Sequence, residues 1–360
     1  MKLPCITTLV TLLLTMPAAA QLQIAPPATI PSAAPEKQKS KPNELTKKKE
    51  APPAPKPSPS ASPKPSPSPK PAATVIPAPP TDNSNADLVF GAYQRGQYKT
   101  AFDLATARAQ AGDPKAMTML GELYSNAMGI RRDYAKAAEW YKRAADAGDR
   151  EAMFALAMLR ISGRGGSVDK SEAVKLMASA AKLGEPKAAY NLALLYLDGQ
   201  TLPQDVRRSA ELLRQAADAG LPEAQYALAT FYKEGTGVPK DPERAVRLLQ
   251  AASLADNVDA EVEYAIAMFN GTGTPKNQPA AVALLRKASR QGSAIAQNRL
   301  AWVLINGVGA PVDKVEGFKW HLVAKTAGKG DPELDKQLSD LPAEDRAKAE
   351  AAAKKWLGAK

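Results

Sequence analysis

The residue types that carry covalent or metal chemistry are scarce in this chain. It has one cysteine, Cys5, and one histidine, His321. Zinc and facial-triad iron sites draw their ligands largely from these two types, so neither metal has a donor set here. No phosphate-cradling glycine loop, dinucleotide fingerprint or D-x-D-x-D-G calcium loop occurs. One tetrapeptide does look chemical. Ser167-Val168-Asp169-Lys170 has the S-x-x-K spacing that, at a helix start, sets a lysine one turn from a nucleophilic serine. No K-T-G strand accompanies it. Glu122, Glu139, Glu151 and Glu211 fall at helical intervals and read as solvated faces rather than acid/base pairs. The expectation is a chain with no catalytic, cofactor or metal site.

The elements that would have to position such residues form a repeat array. Glycine or a substitute stands at Gly112, Gly148, Gly184, Gly220, Asp256, Gly292 and Gly328, every interval being 36 residues. Six repeats follow without insertion, at 112–147, 148–183, 184–219, 220–255, 256–291 and 292–327. Fixed small positions (Ala116, Ala152, Ala188, Ala224, Ala260, Ala296, and Ala144 through Ala324) let helices approach, and Leu120, Leu156, Leu192, Leu228, Tyr264 and Leu300 fill the gaps. The period disposes of both chemical candidates. Asp169 sits in a column with Asp133, Asp205, Asp241, Asn277 and Asp313, so the repeat itself dictates the S-x-x-K spacing. His321 aligns with Tyr141, Met177, Leu213, Leu249 and Leu285 and reads as a packing residue.

Each repeat reads as two antiparallel helices. Glu185 to Leu197 places Ala188, Leu192, Leu195 and Tyr196 on one helical face. Pro114, Pro186 and Pro222 suit first-turn positions, and Gly163, Gly199, Gly235, Gly271 and Gly307 suit helix ends. The Asp/Asn column supplies caps for the second helix, whose core stripe is expected at Trp140, Leu176, Leu212, Leu248, Leu284 and Trp320. Residues 85–111 read as a shortened N-terminal capping pair and 329–360 as C-terminal capping helices, since a stack of repeats needs atypical ends.

The start of the chain is a different polymer. Lys2, the apolar run Ile6 to Met16, Pro17 and Ala18-Ala19-Ala20 read as a secretory signal peptide over 1–20, cut before Gln21. An uncleaved anchor in the inner membrane is the competing reading, although the run is shorter than the roughly 20 residues that span a bilayer. Cys5 lies in this leader, which leaves a cysteine-free body suited to an oxidising compartment. Of the 31 prolines, 18 fall between Gln21 and Pro80. Residues 21–84 therefore read as a disordered linker of extended polyproline character. That linker carries nine Lys against three Glu and one Asp. It serves as a solvated spacer, a weak electrostatic tether to envelope polymers or a membrane surface, or a Pro-rich ligand. The 276-residue body keeps only +5 of the net charge of +11, with mixed sign, which argues against nucleic acid as a partner.

The columns resemble Sel1-like repeats, 36-residue relatives of tetratricopeptide repeats. AMTMLGELYSNAMGIRRDYAKAAEWYKRAADAGD in the first repeat and AQYALATFYKEGTGVPKDPERAVRLLQAASLAD in the fourth carry the pattern most clearly. Arg160 in the second repeat and WHLVAKTAG in the sixth depart from it. The resemblance implies an all-α fold, a right-handed superhelical solenoid of helix pairs, and adaptor or scaffold roles in a bacterial envelope, here most simply the periplasm. Some exported relatives carry a disulfide in every repeat, which this cysteine-free body cannot do.

Alignment to the tetratricopeptide pattern puts two variable columns on the concave face, where a protein or peptide would lie. One is Thr118, Phe154, Tyr190, Tyr226, Val262 and Asn298, and the other Glu122, Met158, Leu194, Thr230, Ile266 and Trp302. Met158 and Trp302 lead as contact residues because their column is otherwise mixed in polarity. Phe154, Tyr190, Tyr226 and Leu194 join them, with packing against the next repeat as the competing reading. Two other classes stay in view: a cell-wall protein held by the basic linker, and a hydrolase acting on cell-wall substrates.

Overall fold

The computed structural model describes residues 84–358. The leader and all of the proline-rich linker except Ser84 lie outside the described residues. The described residues form sixteen α-helices and no strand. They are α1 (Ser84–Gln94), α2 (Tyr98–Gln110), α3 (Pro114–Asn126), α4 (Tyr134–Asp146), α5 (Arg150–Ser162), α6 (Lys170–Lys182), α7 (Pro186–Asp198) and α8 (Val206–Asp218). There follow α9 (Pro222–Glu234), α10 (Pro242–Leu254), α11 (Val258–Asn270), α12 (Gln278–Arg290), α13 (Ala294–Asn306), α14 (Lys314–Thr326), α15 (Pro332–Ser339) and α16 (Ala343–Gly358). Each helix from α2 to α13 packs chiefly on its neighbours in sequence, as a quasi-one-dimensional stack should.

The caps explain why every repeat breaks in the same places. The Asp/Asn column begins each second helix: Asp133 Oδ1 accepts the Lys136 N–H at 3.0 Å, and Asp169 Oδ1 the Glu172 N–H at 2.8 Å. Asp205, Asp241, Asn277 and Asp313 do the same at 2.9 to 3.1 Å. Each such cap is worth about 1 kcal/mol. The backbone N–H of the same residue bonds back to the first helix, as Asp205 does to the Tyr196 carbonyl at 3.0 Å. The loop is thus fixed at both ends of one residue. Each first helix ends in a left-handed residue, glycine in five repeats and Ala127 (φ 59°) in the first.

The small-residue columns are buried as expected, Ala152, Ala188, Ala224, Ala260 and Ala296 being wholly inaccessible. The second-helix stripe is shifted by one residue from the expectation. Trp140, Leu176, Leu248 and Leu284 are only half-buried, and only Leu212 and Trp320 of that column are buried. The fully buried column is Tyr141, Met177, Leu213, Leu249, Leu285 and His321. The second helix is clasped by its own first helix and by the next, which moves its deepest line toward the seam. Leu176, on the rim of that seam, touches the cores on both sides.

The ends are closed differently. Only residues 95–97 join α1 to α2, turning at Gly96 (φ +71°), where a repeat uses seven residues between its helices. At the other end α16 packs on α14 with Ala349 and Ala353 buried. The Trp356 ring meets Trp320 edge-on, centroids 5.0 Å apart, and the Lys319 ammonium lies over both rings.

Candidate partner-binding face

The first helices α3, α5, α7, α9, α11 and α13 bury one stripe and present another. In α5 the buried set is Ala152, Leu156, Ala157 and Leu159, and the opposite stripe is Glu151, Phe154, Ala155, Met158 and Ser162. Phe154, Met158, Tyr190 and Tyr226 are half-buried and rest on the core that contains Leu192, Leu213 and Leu228. Trp302 rests in the same way on Leu300, Leu304 and Phe318. Each of these side chains packs on the core and leaves part of its surface open. Leu194 departs from the expectation: it is buried, with 6% of its surface exposed. Tyr190 stands one turn earlier on the same face, where an i−4 neighbour covers a shorter side chain. Val262 is likewise buried.

Polar groups between these side chains set the electrostatics. Glu122 is half-buried and accepts from the Tyr93 hydroxyl at 3.4 Å, so it is not the solvated glutamate expected from its spacing. Burial pushes its carboxyl up, against the Tyr93 hydrogen bond and the Lys187 charge. Burial also raises the Tyr190 phenol, with Glu223 adding to it. The Tyr226 phenol is pushed well above the usual tyrosine range by burial, then by Glu263, Asp259 and Glu234. Asp259 is held up by burial and by Glu263. Lys233 on α9 pairs with Glu263 on α11 at 2.9 Å. Burial lowers Arg299, against the attraction of Asp331 and Glu263. Sequence reasoning passed over Glu223, Asp259 and Arg299, although Glu223 and Asp259 follow Tyr190 and Tyr226 at one common spacing of 33 residues.

The two chemical candidates have structural work. His321 is inaccessible, and its Nε2 donates to Asp335 Oδ1 at 2.9 Å, tying α14 to α15. Lys325 bonds the same carboxylate oxygen at 2.8 Å. Ser167 and Lys170 are exposed, and Asp169 between them caps α6. Glu139, Glu151 and Glu211 are exposed. Among the described residues no group of three or more His, Cys, Asp or Glu is placed to hold a metal, and no helix is long and apolar enough to cross a membrane.

Tandem helix pairs with a half-open side-chain stripe define an α-helical repeat scaffold, a class that typically binds protein partners. The Sel1 repeat family matches this chain at residues 114–149, 150–185, 186–221, 222–257, 258–293 and 294–329, and the chain belongs to that family. Among solved structures it is similar to a Sel1 repeat protein from Oxalobacter formigenes, with 25% identity and a TM-score of 0.57 over 67% of this chain and 96% of that one. It is also similar to a protective antigen of uropathogenic Escherichia coli, with 23% identity and a TM-score of 0.52 over 77% of this chain and 68% of that one. The second likeness is one of fold. No curated protein matches the chain.

Proposed function

We propose that this chain is an exported, non-catalytic scaffold that holds a protein or peptide along its first-helix face, the concave side of the solenoid. The observation that carries the reading is the run of half-open apolar side chains Phe154, Met158, Tyr190, Tyr226, Ile266 and Trp302, in two columns one helical turn apart through five consecutive repeats. A groove of this composition suits an extended or helical segment, and aromatic anchors dominate such interfaces. The commitment of His321 and Asp169 to structural bonds supports a non-catalytic role. The leader-like residues 1–20 support export, most simply to the periplasm of a Gram-negative cell, where the scaffold would assemble an envelope complex or restrain a signalling receptor.

The test is capture from envelope extract by the intact chain and by Met158→Glu/Trp302→Glu, with circular dichroism on both. A client held by the parent and lost by the folded variant is the expected result. Identical capture by the two would overturn the groove assignment. A second reading, tethering by the basic linker, rests on the nine lysines of residues 21–84. It expects deletion of that stretch to release the protein from the envelope fraction, and added salt to weaken its hold.

A further inference from the structure

Two loops of the first repeats bring cations together without matching carboxylates. Residues 127–133 join α3 to α4, and residues 163–169 join α5 to α6. The second loop lies directly on the start of α4: a Cβ on Gly165 (φ +75°) would collide with the Tyr134 carbonyl oxygen. Arg132 from the first loop and Arg164 from the second thereby reach one ring. Their guanidinium carbons lie 5.8 and 5.4 Å from the centroid of Tyr134. The two charges are thus no farther apart than the sum of those distances. Arg131 precedes Arg132 in the first loop, and all three arginines are exposed. Among the described residues their guanidiniums make no ion pair and no hydrogen bond.

The carboxylates of the same stretch are committed elsewhere. Asp133 and Asp169 accept helix N–H groups as caps, and Glu172 pairs with Arg160 at 2.8 Å. The fourth repeat shows the contrast. There Arg244 lies 5.6 Å from the Tyr232 centroid and is paired with Asp241 at 3.1 Å. An aromatic ring attracts a cation without neutralising it, so two like charges beside Tyr134 repel until an anion joins them.

We propose that the edge formed by these two loops binds an acidic segment of a protein partner, its carboxylates bonding Arg132 and Arg164 beside Tyr134. Charge complementarity selects that occupant. It rules out the chain's own residues 21–84, which carry nine Lys against three Glu and one Asp. Three guanidiniums also fall short of the roughly four to eight cations of a lipid-binding cluster. A planar guanidinium meets a carboxylate through two parallel hydrogen bonds. Carboxylates two positions apart share one side of an extended chain, about 7 Å from each other, a spacing suited to two arginines around one ring. The site draws on the loops, not on the first-helix stripe, and does not rest on the reading of that stripe as a partner-binding face.

The experiment is fluorescence anisotropy of short synthetic peptides with the intact protein. One peptide has glutamate at alternate positions in an alanine and glycine background, and another has glutamine in their place. The glutamate peptide is expected to bind, and its affinity to fall with added salt. Arg132→Gln and Arg164→Gln should each weaken it by about fivefold or more. Arg290→Gln, which removes an exposed arginine from α12, should leave it unchanged. Circular dichroism on each variant checks the fold. Equal binding of the glutamine peptide, an equal loss from Arg290→Gln, or no peptide bound would overturn the proposal. Binding only to phosphatidylglycerol vesicles would overturn it too, by making the edge a membrane contact. Met158→Glu/Trp302→Glu should bind the glutamate peptide as the parent does. A loss there as large as in the arginine variants would refute the loop edge and move the peptide to the first-helix face.

Discussion

A methyl group on residue 121 would stand 2.5 Å from Cε1 of Tyr141, inside the ring's van der Waals surface. The first repeat alone has glycine in this column, and it alone has tyrosine in the facing one. The other repeats place alanine opposite methionine, leucine or histidine. Gly121 is thus the complement of an oversized partner, and total volume at the contact is preserved. Burial pushes the Tyr141 phenol up to about 12, and its hydroxyl lies 3.3 Å from Ser125 Oγ.

Gly121→Ala should therefore destabilise by about 1–3 kcal/mol, despite alanine's better helix propensity. Adding Tyr141→Leu restores the pairing that Ala193 and Leu213 have in the third repeat and should recover much of the loss. Urea denaturation of the two single variants and the double one checks this. Additive losses would show that the two positions do not share the space.

Ala127 ends α3 at φ 59°, where five other repeats have glycine. A side chain in this left-handed conformation costs about 1 kcal/mol. Ala127→Gly should raise stability by roughly that amount, and Gly199→Ala at the matching site should lower it. Thermal unfolding of both variants is the measurement, and a fall in the first would contradict the account.

Glu261 is fully inaccessible on α11, and its carboxylate pairs with Lys287 on α12, which also bonds Asp256 at 2.7 Å. The same position in adjacent repeats is Gln225 or Gln297, whose amides donate to the carbonyls of Ala217 and Ser289. Glu261→Gln should consequently be tolerated or stabilising. Lys287→Met strands a buried carboxylate and should be clearly the worse of the two. Differential scanning calorimetry orders them, and the reverse order would refute the pairing.

Glu316 on α14 joins the fifth and sixth repeats by accepting from Arg286 on α12, at 2.8 and 2.7 Å to its two oxygens. Burial would raise its carboxyl, but the hydrogen bonds from Arg286 and Trp320 outweigh it and hold the group below the usual glutamate range. Its contribution is therefore complete above the unfolded value of about 4.3 and fades as pH falls through the lower folded value. With the pair partly solvated, that contribution is at most about 1 kcal/mol. Glu316→Gln should lower stability near neutral pH and flatten its decline below about pH 4. Denaturation midpoints across that range test the sign.

The period, the helix pairs and their boundaries were legible in the residue pattern alone. Proline, the Asp/Asn caps and the terminal glycines act through bonds within a few residues, and each signal is repeated six times. The same pattern placed His321 and Asp169 in repeat columns, and a column is a stronger constraint than a motif. Tertiary structure decided which line of each helix is deepest, moving it from Trp140 and Leu176 to Tyr141 and Met177. It buried Leu194, left Met158 and Tyr190 half-open, and tied His321 to Asp335. These outcomes depend on how a helix is rotated and offset against its neighbour in the next repeat. That packing is fixed by side-chain volumes on both helices together, a quantity that no local pattern along one of them contains.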